Sequence, residues 1–149
     1  MPEGPVEQLE ELDRDACIRL LGTSGIGRVA IVVDGFPTVL PVNYRVWRTG
    51  DGLQLVIRTR LGSPLDRSAR AGFEVDGVDP AHRQGWSVLL RGELVHLAAE
   101  DVAAFGPDID PAPWVGERDS WLVLRAFDVS GRLLHPRTVE WQVTVRAYL

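Results

Sequence analysis

Arg58 and Thr59 end the apolar run that begins at Leu53, and Ser63 follows just past the break at Gly62. Together they offer a guanidinium, two hydroxyls and free backbone N–H groups, a combination that suits a phosphate monoester. A second run, Phe36 to Trp47, contains Pro41-Val42-Asn43. A proline inside a strand removes one ladder donor and marks an edge or a bulge, so backbone groups there are open to a ligand. The expectation is that Pro41, Val42 and Asn43 form a wall for a flat ring and that Arg58, Thr59 and Ser63 meet the phosphate attached to it. Ser63-Pro64 also reads as an N-cap with proline at the first helical position, opening a short helix through Leu65, Ser68 and Ala69. Its N-terminus would add partial positive charge at the same spot.

Each of these residues has a plainer reading. An Arg at a strand end is most often a solvated charge, and an Asn in a strand often only satisfies neighbouring backbone. Trp86 and Trp121 are more often core or interface aromatics than stacking partners, because a large ring buries much area wherever it sits. Arg118 and Asp119 read as a surface ion pair or a subunit contact.

The elements that must position these groups are mostly strands. Asp13 caps a short helix carrying Cys17, Ile18, Leu20 and Leu21, with Gly22 as its stop. Gly27–Val33 and Phe36–Trp47 flank Asp34-Gly35, the dipeptide of a tight hairpin. Leu53–Arg58, Gly72–Val78, Trp86–Leu97 and Trp121–Phe127 complete about six antiparallel strands, with a bend or bulge at Gly92. A brief acidic helix near Ala99–Phe105 precedes the proline-rich loop Gly106–Gly116, which is too rigid, and too apolar at Trp114, to be a plain linker. Strands of this number with short helices at turns argue a small closed barrel. Residues 1–12 are expected to be a flexible lead-in, 13–136 the barrel domain, and 137–149 a C-terminal extension that forms an extra strand or wraps a partner subunit.

Composition narrows the function classes. The chain has 149 residues and 45% hydrophobic content, enough for one domain with a full core. A formal charge of −5 gives no basic field of the kind that holds nucleic acid or anionic lipid. All 16 basic residues are Arg, so an anion site must use forked guanidinium groups. The single Cys17 reads as a small buried hydrophobe. The expected setting is cytoplasmic, with no membrane span and no signal pattern. His82, His96 and His135 lack metal-ligand spacing, and no nucleophile motif or carboxylate pair stands out. Any reactivity must come from a cofactor.

The order of several blocks adds a resemblance. Gly27-Arg28-Val29-Ala30, Pro41-Val42-Asn43-Tyr44, Arg58-Thr59 with Gly62-Ser63-Pro64-Leu65, Phe73-Glu74-Val75-Asp76, Asp79-Pro80, Gly85-Trp86-Ser87-Val88 and Gly116-Glu117-Arg118-Asp119 resemble successive blocks of the pyridoxamine 5'-phosphate oxidase-like proteins. The resemblance runs from about Leu12 to Leu134. It implies a six-stranded antiparallel split β-barrel of Greek-key type, a homodimer, and FMN bound at the subunit interface. It assigns Arg58, Thr59 and Ser63 to the phosphate, Pro41, Val42 and Asn43 to the ring edge, and Trp86 and Ser87 to the ring from across the interface. Pro64 stands where such proteins often carry a Lys, and one lost charge-assisted phosphate contact costs about 1.5–3 kcal/mol, with Arg60 or Arg67 as possible replacements. The implied function is an FMN-dependent oxidoreductase acting on a small molecule. The alternative is a weakly catalytic or non-catalytic binding protein for flavin, deazaflavin or haem.

Overall fold

Val29 and Ile31 point to one side of a strand whose other side carries Ala30 and Val32, and that alternation sets the architecture. The structure, a computed structural model, describes residues 7–50, 52–114 and 116–136. In chain order the elements are β1 (Glu7–Leu12), α1 (Arg14–Leu21), β2 (Ile26–Val33), β3 (Phe36–Thr49), β4 (Gly52–Thr59), β5 (Ala69–Asp79), β6 (Gln84–His96), α2 (Ala99–Ala104) and β7 (Ser120–Pro136).

All strand pairs are antiparallel, and the order β7-β4-β3-β2-β5-β6 returns to β7, closing a ring of six strands. Three hairpin-linked strands, β2, β3 and β4, are followed by β5, which lies beside β2, and this is the Greek-key order. Closure removes most exposed edges. β7 holds the ring together because Leu122–Arg125 pair with β4 on one side and β6 on the other. Its length exceeds the Trp121–Phe127 strand expected from sequence. Beyond the barrel, its far end pairs with β1.

That pairing corrects the flexible lead-in expected over residues 1–12, since Glu7–Leu12 is a strand. Its acidic residues and few apolar groups hid it, because an edge strand is held by backbone hydrogen bonds more than by burial. Residues 1–6 and the C-terminal extension, 137–149, lie outside the described residues.

Local chemistry explains the turns. Asp34 and Gly35 take φ of 49° and 82°, the paired left-handed geometry whose twist matches flanking antiparallel strands. At Gly92 the β6–β7 register shifts, so that Arg91 opposes Asp128 while Gly92 opposes Ala126. A Cβ on Gly92 would lie 2.1 Å from the Arg125 carbonyl oxygen, which is why the bulge takes glycine. The Asp13 carboxylate accepts from the Ala16 N–H at 2.8 Å, capping α1 as its sequence suggests.

The barrel interior is filled by Tyr44, Phe73, Leu55, Ile57, Leu90, Leu94, Leu122 and Leu124, all essentially buried. Tyr44 and Phe73 meet edge to face at 4.8 Å. The Tyr44 hydroxyl donates to the Leu21 carbonyl at 2.6 Å, tying α1 to the barrel, and burial pushes its pKa up to about 12. Cys17 is buried on the inner side of α1, its thiol pKa raised chiefly by desolvation. The outer face of β3, β4 and β7 is covered too, by Phe105 packed between Trp47 and Trp121. β4 is therefore buried on both faces over Leu53–Ile57.

Candidate functional site

β3 changes partners partway along its length, and the site opens at that change. Phe36–Asn43 pair with β2, whereas Tyr44–Thr49 pair with β4. The β3–β4 ladder stops at Tyr44 opposite Ile57, while Arg58 and Thr59 continue along β7 opposite Trp121 and Ser120. Leu40–Asn43 and Arg58-Thr59 thus face each other across a split in the barrel wall. Pro41 suits this edge because it has no N–H to leave unpaired.

A cavity of about 590 Å³ fills the split. Its wall is Leu40, Pro41, Val42 and Asn43 from β3 with Ile26 of β2; its opposite end is Arg58, Thr59, Arg60, Ser63, Pro64 and Leu65. Pro113, Trp114 and Arg118 border it from the proline-rich loop. Six of the eight residues singled out from sequence therefore meet here. Trp86 and Ser87 do not: they line a separate cavity of about 240 Å³ with Leu9, Asp76 and Arg132.

The crossover between β4 and β5 forms the floor, and it is not the helix expected at Ser63-Pro64. Residues 60–68 are a chain of turns, with Ser63 N–H to the Arg60 carbonyl, Asp66 N–H to that of Ser63 and Arg67 N–H to that of Leu65. The cause is tertiary. Leu65 is drawn into the core at 2% exposure, Gly62 bends at φ 72°, and Asp66 is held by side chains distant in sequence. Asp66 accepts from the Gly62 N–H at 2.8 Å and the Ser120 hydroxyl at 2.6 Å, and lies 2.8 Å from His96 Nε2. The Ser120 bond, the Gly62 bond and His96 hold its pKa down at about 2. No helix terminus contributes charge to the cavity here.

Thr59 Oγ1 and Ser63 Oγ share a hydrogen bond at 2.7 Å, so the two hydroxyls form one polar spot. Arg58 is more heavily committed. Its Nε donates to the Arg118 carbonyl at 3.0 Å, its Nη1 donates to both Asp110 oxygens at 3.0 and 3.2 Å, and its guanidinium lies 4.6 Å from the Trp121 ring centroid. Asp110 also accepts from the Ala112 N–H at 2.9 Å, and Asn43 Oδ1 accepts from the Trp114 N–H at 3.4 Å. These bonds seat the proline-rich loop against β3 and β4.

Asp110, Trp114 and Arg118 were missed as parts of the site. Arg118, read from sequence as part of a surface ion pair or a subunit contact, borders the cavity and gives its carbonyl to Arg58. The hint was the proline-rich loop Gly106–Gly116, too rigid, and too apolar at Trp114, to be a plain linker. Among the described residues, the charged side chains lining the cavity are Arg58, Arg60 and Arg118, whose forked guanidinium groups can bind and orient an anion. Among the described residues no group of three His, Cys, Asp or Glu could hold a metal ion, and no helix is long and apolar enough to cross a membrane.

A six-stranded Greek-key ring with a ligand-sized split between β3 and β4 defines the class as a split barrel. The chain belongs to the pyridoxamine 5'-phosphate oxidase-like family, whose model matches residues 13–133. An uncharacterized protein of Mycobacterium tuberculosis is 36% identical over 117 residues, covering 72% of this chain and 73% of that one. Among solved structures, the FAD binding protein from Mycobacterium smegmatis is similar with a TM-score of 0.61 and 23% identity over 85% of this chain and 98% of that chain. A FAD-binding protein from Mesorhizobium loti gives 0.67 at 20% identity over 87% and 98%, respectively. The FAD and haem binding protein from M. smegmatis gives 0.60 at 22% over 93% and 80%. At these identities the structural likeness speaks for the fold.

Proposed function

We propose that this protein binds a flavin nucleotide, FMN in the first instance, in the split between β3 and β4, and serves as an oxidoreductase for a small-molecule substrate. The observation that carries this reading is the split itself, in which an unpaired strand edge at Pro41-Val42-Asn43 faces a cluster of arginine and hydroxyl groups at Arg58, Thr59 and Ser63. The residues fit the group in size and chemistry: a largely apolar wall for a ring, backbone groups for its polar edge, and donors at the far end for phosphate. FAD binding by relatives of the same fold supports the ligand class.

A bound flavin would supply two-electron chemistry. The chain's own part is to hold and orient. Thr59 and Ser63 would donate hydroxyl hydrogen bonds to the phosphate, and Arg60 and Arg118 would add charge at the rim. Leu40, Val42, Ile26 and Leu65 would exclude water from one ring face. Trp86 and Ser87 would reach a ring only across a subunit interface, in a homodimer.

Titration with FMN, FAD, riboflavin, deazaflavin and haem, followed by visible absorption and flavin fluorescence, tests the reading. Binding of a flavin with a clear preference over haem is expected, and replacing Arg58 by Ala should weaken FMN more than riboflavin. Absence of binding by every flavin would overturn the reading, and selective haem binding would favour the binding-protein alternative. That alternative draws support from a cavity whose described lining residues include no His, Asp, Glu, Cys or Tyr.

A further inference from the structure

Arg58, one of three arginines lining the split, is paired with a carboxylate outside the cavity lining. Its Nη1 donates to both oxygens of Asp110, at 3.0 and 3.2 Å, and both side chains are partly shielded, at 21% and 36% exposure. Three further contacts seat the pair. Trp121 lies against the guanidinium, the Arg118 carbonyl takes Nε, and the Ala112 N–H holds the same Asp110 oxygen that Nη1 contacts. Asp110 itself does not line the cavity. It stands behind Arg58 and cancels much of its field there.

We propose that Asp110 is a specificity-determining residue that lowers the protein's preference for a phosphomonoester dianion over the same ligand without phosphate. The inference rests on the flavin reading of the cavity and concerns the ligand's phosphate end only. A dianion entering beside Arg58 meets a guanidinium already neutralised by a carboxylate and is repelled by that carboxylate, whereas an uncharged tail meets neither effect. Pro64, where a Lys would add charge, acts in the same direction. Arg60 and Arg118 remain to attract a more diffusely charged tail, such as a pyrophosphate diester with one charge on each phosphate.

The test is Asp110→Asn, which removes the charge but keeps a side-chain oxygen for the Ala112 N–H and so spares the turn. FMN and riboflavin share one fluorophore, and their dissociation constants are read from the same flavin emission. D110N should bind FMN about tenfold more tightly than the unmodified protein while riboflavin changes by less than about twofold. An unchanged FMN-to-riboflavin ratio, or weaker FMN binding in D110N, would overturn the proposal. If neither flavin binds, the flavin reading falls, and titration with inorganic phosphate followed by tryptophan emission decides the charge effect: tighter phosphate binding in D110N supports it, and equal binding overturns it.

Discussion

At the scale of single residues, two side chains govern how the cavity is kept in shape. Tyr44 fixes α1 to the barrel through one buried hydroxyl. Asp66 fixes the crossover through three partners, Gly62, Ser120 and His96. Its folded-state pKa of about 2 lies below the ordinary value of 3.8. The stabilisation from ionised Asp66 is therefore fully present above the ordinary value and is lost as pH falls through about 2. Urea midpoints measured as a function of pH should show this as a steeper acid loss in the unmodified protein than in Asp66→Asn. Equal slopes would remove Asp66 from the acid response. The asparagine should also be less stable at neutral pH, because the Gly62 N–H and Ser120 hydroxyl lose a charged acceptor.

At the scale of elements, the crossover between β4 and β5 shows where local sequence misleads. Ser63-Pro64 carries the signature of a helix start, yet the segment has only a few residues in which to span two strands of a Greek key. Burying Leu65 and bonding Asp66 outweigh the small gain of one helical turn. Pro64 lines the cavity in that turn, so a cation placed there would face the phosphate end directly. Pro64→Lys should tighten FMN by about tenfold and leave riboflavin nearly unchanged, as read by fluorescence titration. Equal effects on both ligands would mean that position 64 does not reach the phosphate. The proline-rich loop is the other element whose role was hidden, because its bonds through Asp110 and Trp114 reach β4 and β3, far away in sequence.

At the scale of the whole molecule, the barrel is closed but its surface is not wholly polar. Val32 and Val39 lie on the outward face of the β2–β3 hairpin at 62% and 60% exposure, and Phe36 stands at its tip at 74%. Three exposed apolar side chains on one hairpin suit a subunit contact. Sedimentation equilibrium is expected to give twice the 16.5 kDa chain mass, and Val39→Asp should shift the population toward monomer without unfolding. A concentration-independent monomer that still binds flavin fully would exclude an interface site, and with it any part for Trp86 and Ser87.

The sequence by itself determined the six barrel strands, the Asp34-Gly35 turn and the proximity of Arg58, Thr59 and Ser63. Asp34-Gly35 could hardly make anything but a tight hairpin, the alternating apolar runs had one face to bury, and Arg58, Thr59 and Ser63 are neighbours through short-range geometry. Pro41 announced a strand edge because the missing N–H is a property of the residue alone. Tertiary structure decided what no local pattern encodes: that β3 leaves β4 at Tyr44 and opens a cavity, that Asp66 and Leu65 hold the crossover as turns, and that Glu7–Leu12 adds a strand. It also decided that Arg58 meets Asp110, a partner 52 residues away. Charge pairing across such a separation depends on how the chain closes, and for that reason the Arg58, Thr59 and Ser63 cluster could be read from the sequence while the carboxylate paired with Arg58 could not.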